Sequence, residues 1–441
     1  EKDQILLNML KEINTEACKA VGIQINTAPN VKSFKKLQAE RQNLLLEKLD
    51  LKQSDLTETE CREMEEFFAE FEEIFALYED ELGCCDWVLG EIDTQGTPPI
   101  KIPPRRLPYS VREAIRDQIN KLLEMGIIEK SSSPYSFPIV PIKKKTGEVR
   151  IAIDYRELNK VTKKEAVPLP RPDDILASLG EIRAQIFSKM DLKMGYHQVL
   201  MAEDSKEKTA FSTDRGHYQY LRMPLGITVA PQIFSRLMDK VIDGLDRSRI
   251  FVYLDDILVA TETLEEHRTV LRSLFNRLRD AGLRLKPSKC DYCRKEVVFL
   301  GHHLSKEGIR ADPALLEKIQ NFPIPLTVKN IRSFLGLCQY FRCHIRNFSL
   351  IAKPLYQLTS AYTTPFEKLP DDAMQAFEKL KEVLTNPPVL AYPDFSKPFY
   401  IETDSSKHGL GAILLQKDDE GKVHPLAFAS HRLNQHESRY G

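Results

Sequence analysis

The stretch RIFVYLDDILVAT, residues 249–261, holds two short apolar runs split by a pair of acids. Ile250, Phe251, Val252, Tyr253 and Leu254 form the first run, and Ile257, Leu258 and Val259 the second. Asp255 and Asp256 stand between them. Two β-branched and aromatic runs of strand length predict a hairpin with buried arms and the acids at its tip. Carboxylates beside a core are costly to keep ionised unless a cation compensates them. An Asp-Asp β-turn with no further role is the alternative, since Asp is a common turn residue.

A second stretch, FSKMDLKMGYHQV (187–199), bears on that choice. It predicts a short strand carrying Ile186, Phe187 and Met190, ending in Asp191 and followed by a polar, glycine-containing turn. A carboxylate at a strand end, set beside carboxylates at a hairpin tip, is what a two-metal phosphoryl-transfer site requires. Mg²⁺ takes oxygen ligands and binds through one or two carboxylates plus substrate phosphates. Two such ions ~3.5–4 Å apart activate an attacking oxygen and stabilise the leaving one.

The segments MDLKMGYHQ and YLDD, in this order and spacing, resemble the palm of reverse transcriptases. The flanking blocks RIAIDYRELNK (150–160), PLPRPDDIL (168–176), LRMPLGITVAPQIF (221–234), LKPSKC (285–290) and VVFLGHHLSKEGI (297–309) are similar to those of gypsy-type long-terminal-repeat retrotransposons, relatives of the retroviruses. The resemblance runs from about Ile92 onward. It implies an α+β fold, a right-hand polymerase with fingers, an antiparallel palm sheet and a thumb. In this reading residues 1–95 are an acidic helical linker, 96–309 fingers and palm, and 310–362 the thumb. Residues 363–396 are a connection and 397–441 a truncated RNase H-like α/β domain.

The implied activity is RNA-directed DNA polymerisation. A primer 3′-OH is extended with deoxynucleoside triphosphates on retrotransposon RNA, or on DNA, with two Mg²⁺ ions for which Mn²⁺ can substitute. The implied partners are an RNA template with a DNA or RNA primer, the RNA–DNA hybrid, and a second copy or other Pol products. The implied location is intracellular, in a cytoplasmic virus-like particle or the nucleus. Two other readings keep the same residues: a domesticated nucleic-acid-binding remnant that no longer polymerises, and a polymerase that copies RNA into RNA.

Residue roles follow from the same resemblance. Asp191 and Asp255 are expected as shared metal ligands, Asp256 as a third acid beside them, and Leu192 as a backbone carbonyl ligand. Lys145 (with Lys143 and Lys144 as near alternatives) and Arg150 fall on a basic hairpin suited to a triphosphate. Tyr196 is the expected steric gate against a 2′-OH, the group that distinguishes ribose from deoxyribose. An ordinary half-buried tyrosine is the alternative. Leu225 and Gly226 fall in the nucleotide pocket, and Leu225 stands where gypsy-type elements more often carry Phe and retroviruses Gln. Phe299, Leu300 and Gly301 match the primer grip, and Lys289 resembles the late palm lysine that assists protonation of pyrophosphate. Asp154, Arg156 and Asn159 are expected to hold local structure. Asp404 matches the first RNase H carboxylate; the chain stops at Gly441 before the other acids that chemistry needs, so little RNase H activity is expected of it.

Composition bounds the rest. At 441 residues the chain is too long for one simple core. It has no apolar run approaching the ~20 residues of a membrane helix. No signal-peptide pattern opens it, and its first residue, Glu1, suggests a fragment or a processed product. No Asp-Ser/Thr-Gly protease signature appears in the N-terminal region. The eight cysteines form no secreted-style framework, which favours a reducing compartment. Cys290-x-x-Cys293 followed by His302 and His303 allows a zinc reading, provided strand and hairpin positions converge.

The net charge of −1 hides an asymmetry. Up to Pro98 there are 10 basic and 22 acidic residues; of the totals of 63 and 64, this leaves 53 basic and 42 acidic in the remainder. A basic body suits a polyanionic partner.

Local patterns predict helices over 38–51, 57–82, 265–281 and 327–358, and one within 110–131 that Gly126 ends. Asp312-Pro313 starts another helix, and 371–384 forms a connecting one. Strands are predicted at 399–403, 410–416 and 423–429. Lys329, Arg332, Arg342 and Arg346 are candidate phosphate contacts of the thumb.

Overall fold

The structure is a computed structural model that describes residues 31–51, 54–143, 149–164, 166, 171–361, 366–406, 409–433 and 436–437. Strand β1 (Cys85–Gly90) runs parallel to β6 (Val199–Met201). A five-stranded sheet has the order β2-β8-β7-β3-β4, built from β2 (Ile128–Lys130), β3 (Phe137–Lys143), β4 (Val149–Ile153), β7 (Phe211–Ser212) and β8 (His217–Tyr220). The predicted palm hairpin lies in an antiparallel sheet of order β11-β5-β10-β9, made of β5 (Ile186–Asp191), β9 (Ile250–Tyr253), β10 (Asp256–Thr261) and β11 (Asp291–Arg294). Strands β12 (Glu296–Phe299), β13 (His302–Ser305) and β14 (Gly308–Ala311) form a meander. So do β15 (Phe399–Ser406), β16 (Gly409–Lys417) and β17 (Val423–Arg432).

The palm strands read as continuous apolar runs because both faces of their sheet are covered. Successive side chains alternate between two cores. Ile250, Ile257, Val259 and Met190 enter one core, under α5 (Ala230–Val241) and α6 (Leu264–Asp280). Phe251, Leu258, Ala260 and Phe187 enter the other, against α4 (Pro172–Ser178) and the β12–β14 meander. Asp191, Lys189 and Asp256 share the face of Leu258, by register.

The N-terminal helices depart from the linker expectation. Helix α1 (Val31–Leu49) and helix α2 (Glu58–Ala69) place Leu45, Leu49, Met64, Phe67 and Phe68 in the same core as the palm sheet. The α2 start is a capping box in which Thr57 and Glu60 satisfy each other's backbone N–H groups. Phe67, Phe68, Phe71 and Phe75 surround Phe275 of α6 with ring centroids 5.4–5.9 Å apart. The acidic face is used as well: Glu63, Glu70 and Glu73 pair with Arg268, Arg272 and Arg279 along α6. Part of the charge asymmetry is therefore neutralised inside the molecule.

Helix α3 (Tyr109–Glu124) buries Val111, Ile115 and Ile119 and ends before Gly126. The predicted helical run 327–358 is broken. Helix α8 (Val328–Tyr340) stops at Phe341, and Asn347 takes a left-handed conformation before the chain turns helical again. Helix α7 (Pro313–Gln320) is capped by Asp312, whose carboxylate accepts from the Ala314 N–H. Helices α7 and α8 share one core with α9 (Asp371–Val383) through Ile319, Ile331, Phe334, Phe377 and Leu380. The connecting helix thus belongs to the packing of the predicted thumb. No helix among the described residues is long and apolar enough to cross a membrane.

Candidate active site

Strand pairing brings two of the predicted acids together. Asp256 opens β10 directly opposite Asp191, the last residue of β5. The turn between β9 and β10 is Leu254–Asp255, so Asp255 alone of the two acids sits in the turn itself and Asp256 is already in the ladder. Leu254 has φ +57, the left-handed region a two-residue hairpin turn demands, held here by a residue that disfavours it. Asp255 packs over Gly195, where an added Cβ would lie 3.5 Å from the Asp255 Cβ.

Burial pushes the Asp256 carboxyl up, and the charges of Asp255 and Asp191 add to this while Lys189 and Lys289 oppose it. Lys289 Nζ lies 2.8 Å from Asp191 Oδ2. Sequence reasoning had no role for Lys189, two residues before Asp191; its place on the acids' face follows from strand periodicity alone.

Leu192 forms an isolated antiparallel bridge with Leu285. The bonds of that bridge run from the Lys193 N–H to the Arg284 carbonyl and from the Lys286 N–H to the Asp191 carbonyl. Leu192 is therefore in the non-hydrogen-bonded position, and its own carbonyl faces away from Leu285. Three carboxylates and a peptide oxygen are the hard donors that Mg²⁺ takes, so the residue types fit the ion. Among the described residues, however, no three Asp, Glu, His or Cys side chains are gathered closely enough to hold a metal ion.

Tyr196 stands on a short 3₁₀ turn, Gly195–Gln198, with its ring 5.1 Å from that of Phe234. Burial raises its phenol pKa, and the charge of Asp255 adds to the shift. Leu225 is exposed, and Gly226 has φ +98. Asn159 holds this loop: its Nδ2 donates to the Gly226 carbonyl at 2.9 Å and its Oδ1 accepts from the Thr228 N–H at 2.8 Å. Asp154 pairs with Arg156 and Arg105, both at 2.7 Å, and the Arg156 hydrogen bond holds its carboxyl down at about 2. Both residues hold local structure, as the sequence suggested.

Arg150 is exposed on β4, opposite Ile142. Its charge adds slightly to the burial that lowers the His197 pKa to about 4. Lys144, Lys145 and the Lys143 side chain lie outside the described residues.

Phe299 ends β12, and its side chain is buried in the core that also takes Phe251 and Leu258. The turn that follows, Leu300–Gly301, remains at the surface with φ of +46 and +68. It is tied to the thumb by the Tyr340 hydroxyl, which donates to the Leu300 carbonyl, a contact the sequence did not single out. Lys329, Arg332, Arg342 and Arg346 are all exposed. Asp404 is exposed on β15 opposite Gly411, beside a small cavity also lined by Arg346, Asn347 and Glu402.

The zinc reading does not survive. Cys290 and Cys293 are buried in the core and their thiols pushed up to about 12 by burial. His302 stacks on Tyr340 and His344, while His303 Nε2 lies 3.2 Å from Glu296.

Residues 142–304 match the family described as reverse transcriptase (RNA-dependent DNA polymerase). Residues 369–441 match the RNase H-like domain found in reverse transcriptase. The retrovirus-related Pol polyprotein from transposon 297 of Drosophila melanogaster is 41% identical over 332 residues, 74% of this chain and 30% of that protein. The corresponding polyprotein from transposon gypsy of the same organism is 36% identical over 346 residues, 75% of this chain and 33% of that protein. The chain thus spans about a third of the length of these curated relatives. A solved foamy viral protease-reverse transcriptase in complex with RNA/DNA hybrid is similar with a TM-score of 0.80 and 26% identity, over 91% of this chain and 53% of that one. A second foamy viral structure, in complex with double-stranded DNA, gives 0.81 and 26%, over 91% of this chain and 69% of that one. The α+β fold is the right-hand polymerase fold of these neighbours. The chain belongs to the reverse transcriptase family, among the Pol proteins of gypsy-type retrotransposons.

Proposed function

We propose that this chain is an intracellular RNA-directed DNA polymerase that extends a primer 3′-OH with deoxynucleoside triphosphates. The observation that carries the reading is the register of β10 on β5, which sets Asp256 opposite Asp191 with Asp255 in the adjoining turn. Asp191, Asp255, Asp256 and the Leu192 carbonyl would hold two Mg²⁺ ions, or Mn²⁺ in their place. Bound there, such ions would supply Lewis-acid activation of the primer oxygen and offset charge on the pyrophosphate leaving group. Positioning by the protein supplies much of the remaining rate in phosphoryl transfer.

Each remaining residue then has a task. Tyr196, wedged against Phe234 and beside Asp255, forms the floor under the sugar and excludes a 2′-OH. Asn159 fixes the Leu225–Gly226 loop as a wall of the nucleotide pocket. Arg150 meets the triphosphate, with Lys145 as a second cation for it. The Leu300–Gly301 turn, held by Tyr340, guides the primer end, and the exposed thumb cations meet the hybrid's phosphates.

The test is extension of a DNA primer annealed to RNA, with and without Mg²⁺. Templated addition of deoxynucleotides that stops on chelation supports the reading. Tight hybrid binding with no extension would leave a nucleic-acid binder instead.

A further inference from the structure

We infer that Lys289 is a built-in counter-ion of the acidic cluster, competing with divalent cations for Asp191 and keeping the nucleotide-free site in a low-affinity state. The inference rests on the proposed ion site, and goes beyond it by saying what occupies Asp191 when no ion does. Three observations carry it.

The first is contact: Lys289 Nζ is 2.8 Å from Asp191 Oδ2, an oxygen that the proposed ion site would need. The second is the state of the cluster. By register Asp256 lies opposite Asp191, so the ammonium on Asp191 stands next to a second acid of the cluster.

The third is mechanical. Lys289 ends a 3₁₀ turn, Pro287–Lys289, whose base is anchored to the acid it serves: the Lys286 N–H donates to the Asp191 carbonyl at 2.9 Å. The backbone is thus held at a fixed distance from Asp191. The Lys289 side chain is 56% exposed against 17% for Asp191, so its head group can leave for solvent without moving the turn. A fixed base with a free head lets one cation replace another while the sheet stays unchanged.

An incoming divalent ion must therefore displace the ammonium. A free ion offers only its own charge for that exchange. An ion arriving with a triphosphate brings oxygen ligands beyond those of the protein, which offset the displacement.

The test is Mn²⁺ binding by the full chain without nucleotide or nucleic acid, followed by the electron paramagnetic resonance signal of free Mn²⁺. Lys289→Met is expected to bind Mn²⁺ roughly three- to tenfold more tightly than the wild type, the range of a partly exposed ion pair. Lys289→Gln, a second neutral variant, is expected to do the same, and Lys289→Arg, which keeps the cation, to match the wild type. Unchanged or weaker binding in both neutral variants overturns the inference. Asp191→Asn separates this from the function itself: it is expected to lose Mn²⁺ binding, and wild-type binding in that variant overturns the ion site as well.

Discussion

His267 lies at the middle of a buried polar chain that ties the palm to helix α6. Its Nε2 meets Ser188 Oγ at 2.7 Å and its Nδ1 meets Thr261 Oγ1 at 2.8 Å, while Ser188 Oγ also accepts from the Cys293 N–H. Burial pushes its pKa down to about 3, and burial likewise holds His197 and His302 at about 4. In the unfolded chain these rings take up protons near pH 6.5, whereas the folded ones stay neutral. The unfolded state therefore binds more protons below pH 6.5, and stability falls as pH drops from there toward 4. Each such histidine contributes a slope of up to about 1.4 kcal/mol per pH unit. Urea unfolding at several pH values is expected to show this fall, with one proton's worth removed in His267→Gln; an unchanged slope in the variant would contradict the assignment. At the site, Tyr196→Ala is expected to relax discrimination against ribonucleotides by ~10-fold or more, read from single-nucleotide incorporation with each substrate. Little change would count against the gate role.

Helix α2 shows why an element can be visible in a sequence while its place is not. Its capping box and helical period are local and readable. Its partner is Phe275 with the arginine stripe of α6, some two hundred residues away, and nothing within EMEEFFAEFEE announces that stripe. The acidic composition suggested a solvated linker or a docking element, and the aromatic face docks the helix on the palm core. Phe68→Ala is expected to destabilise the fold by about 3–5 kcal/mol, measured by denaturant unfolding, where a linker residue would cost almost nothing. Helix α8 offers the opposite case. Gly336 is exposed within it and an added Cβ would meet no atom within 4 Å. Gly336→Ala is expected to raise stability by about 0.5–1 kcal/mol. The palm hairpin was legible because its runs are apolar on both faces, and Asp191 and Asp255–Asp256 because they end or interrupt those runs. The Lys289 ion pair was not, since its partners are 98 residues apart and meet only through the sheet. Phe299 ends β12 in the hairpin that the motif marks, and only the pleat says that its side chain is buried.

At the scale of the whole molecule, the near-zero net charge conceals a surface sorted by sign. Glutamates of the N-terminal segment meet arginines of α6 at the back of the palm, while the thumb's Lys329, Arg332, Arg342 and Arg346 stay open to solvent. Hybrid affinity is therefore expected to fall with salt, and Arg332→Ala to lower the slope of log affinity against log salt by ~1 in magnitude without changing sequence preference. The proposed polymerase site rests on one strand register, which sets Asp256 opposite Asp191 with Asp255 in the adjoining turn. The direct measurement compares the wild type with Asp255→Asn in Mg²⁺-dependent extension of a DNA primer on an RNA template, alongside hybrid binding by each. Extension by the wild type is expected, with a loss of ~10³-fold or more in the variant and hybrid affinity that changes little. Equal extension by both proteins, or none by either with binding intact, would contradict it.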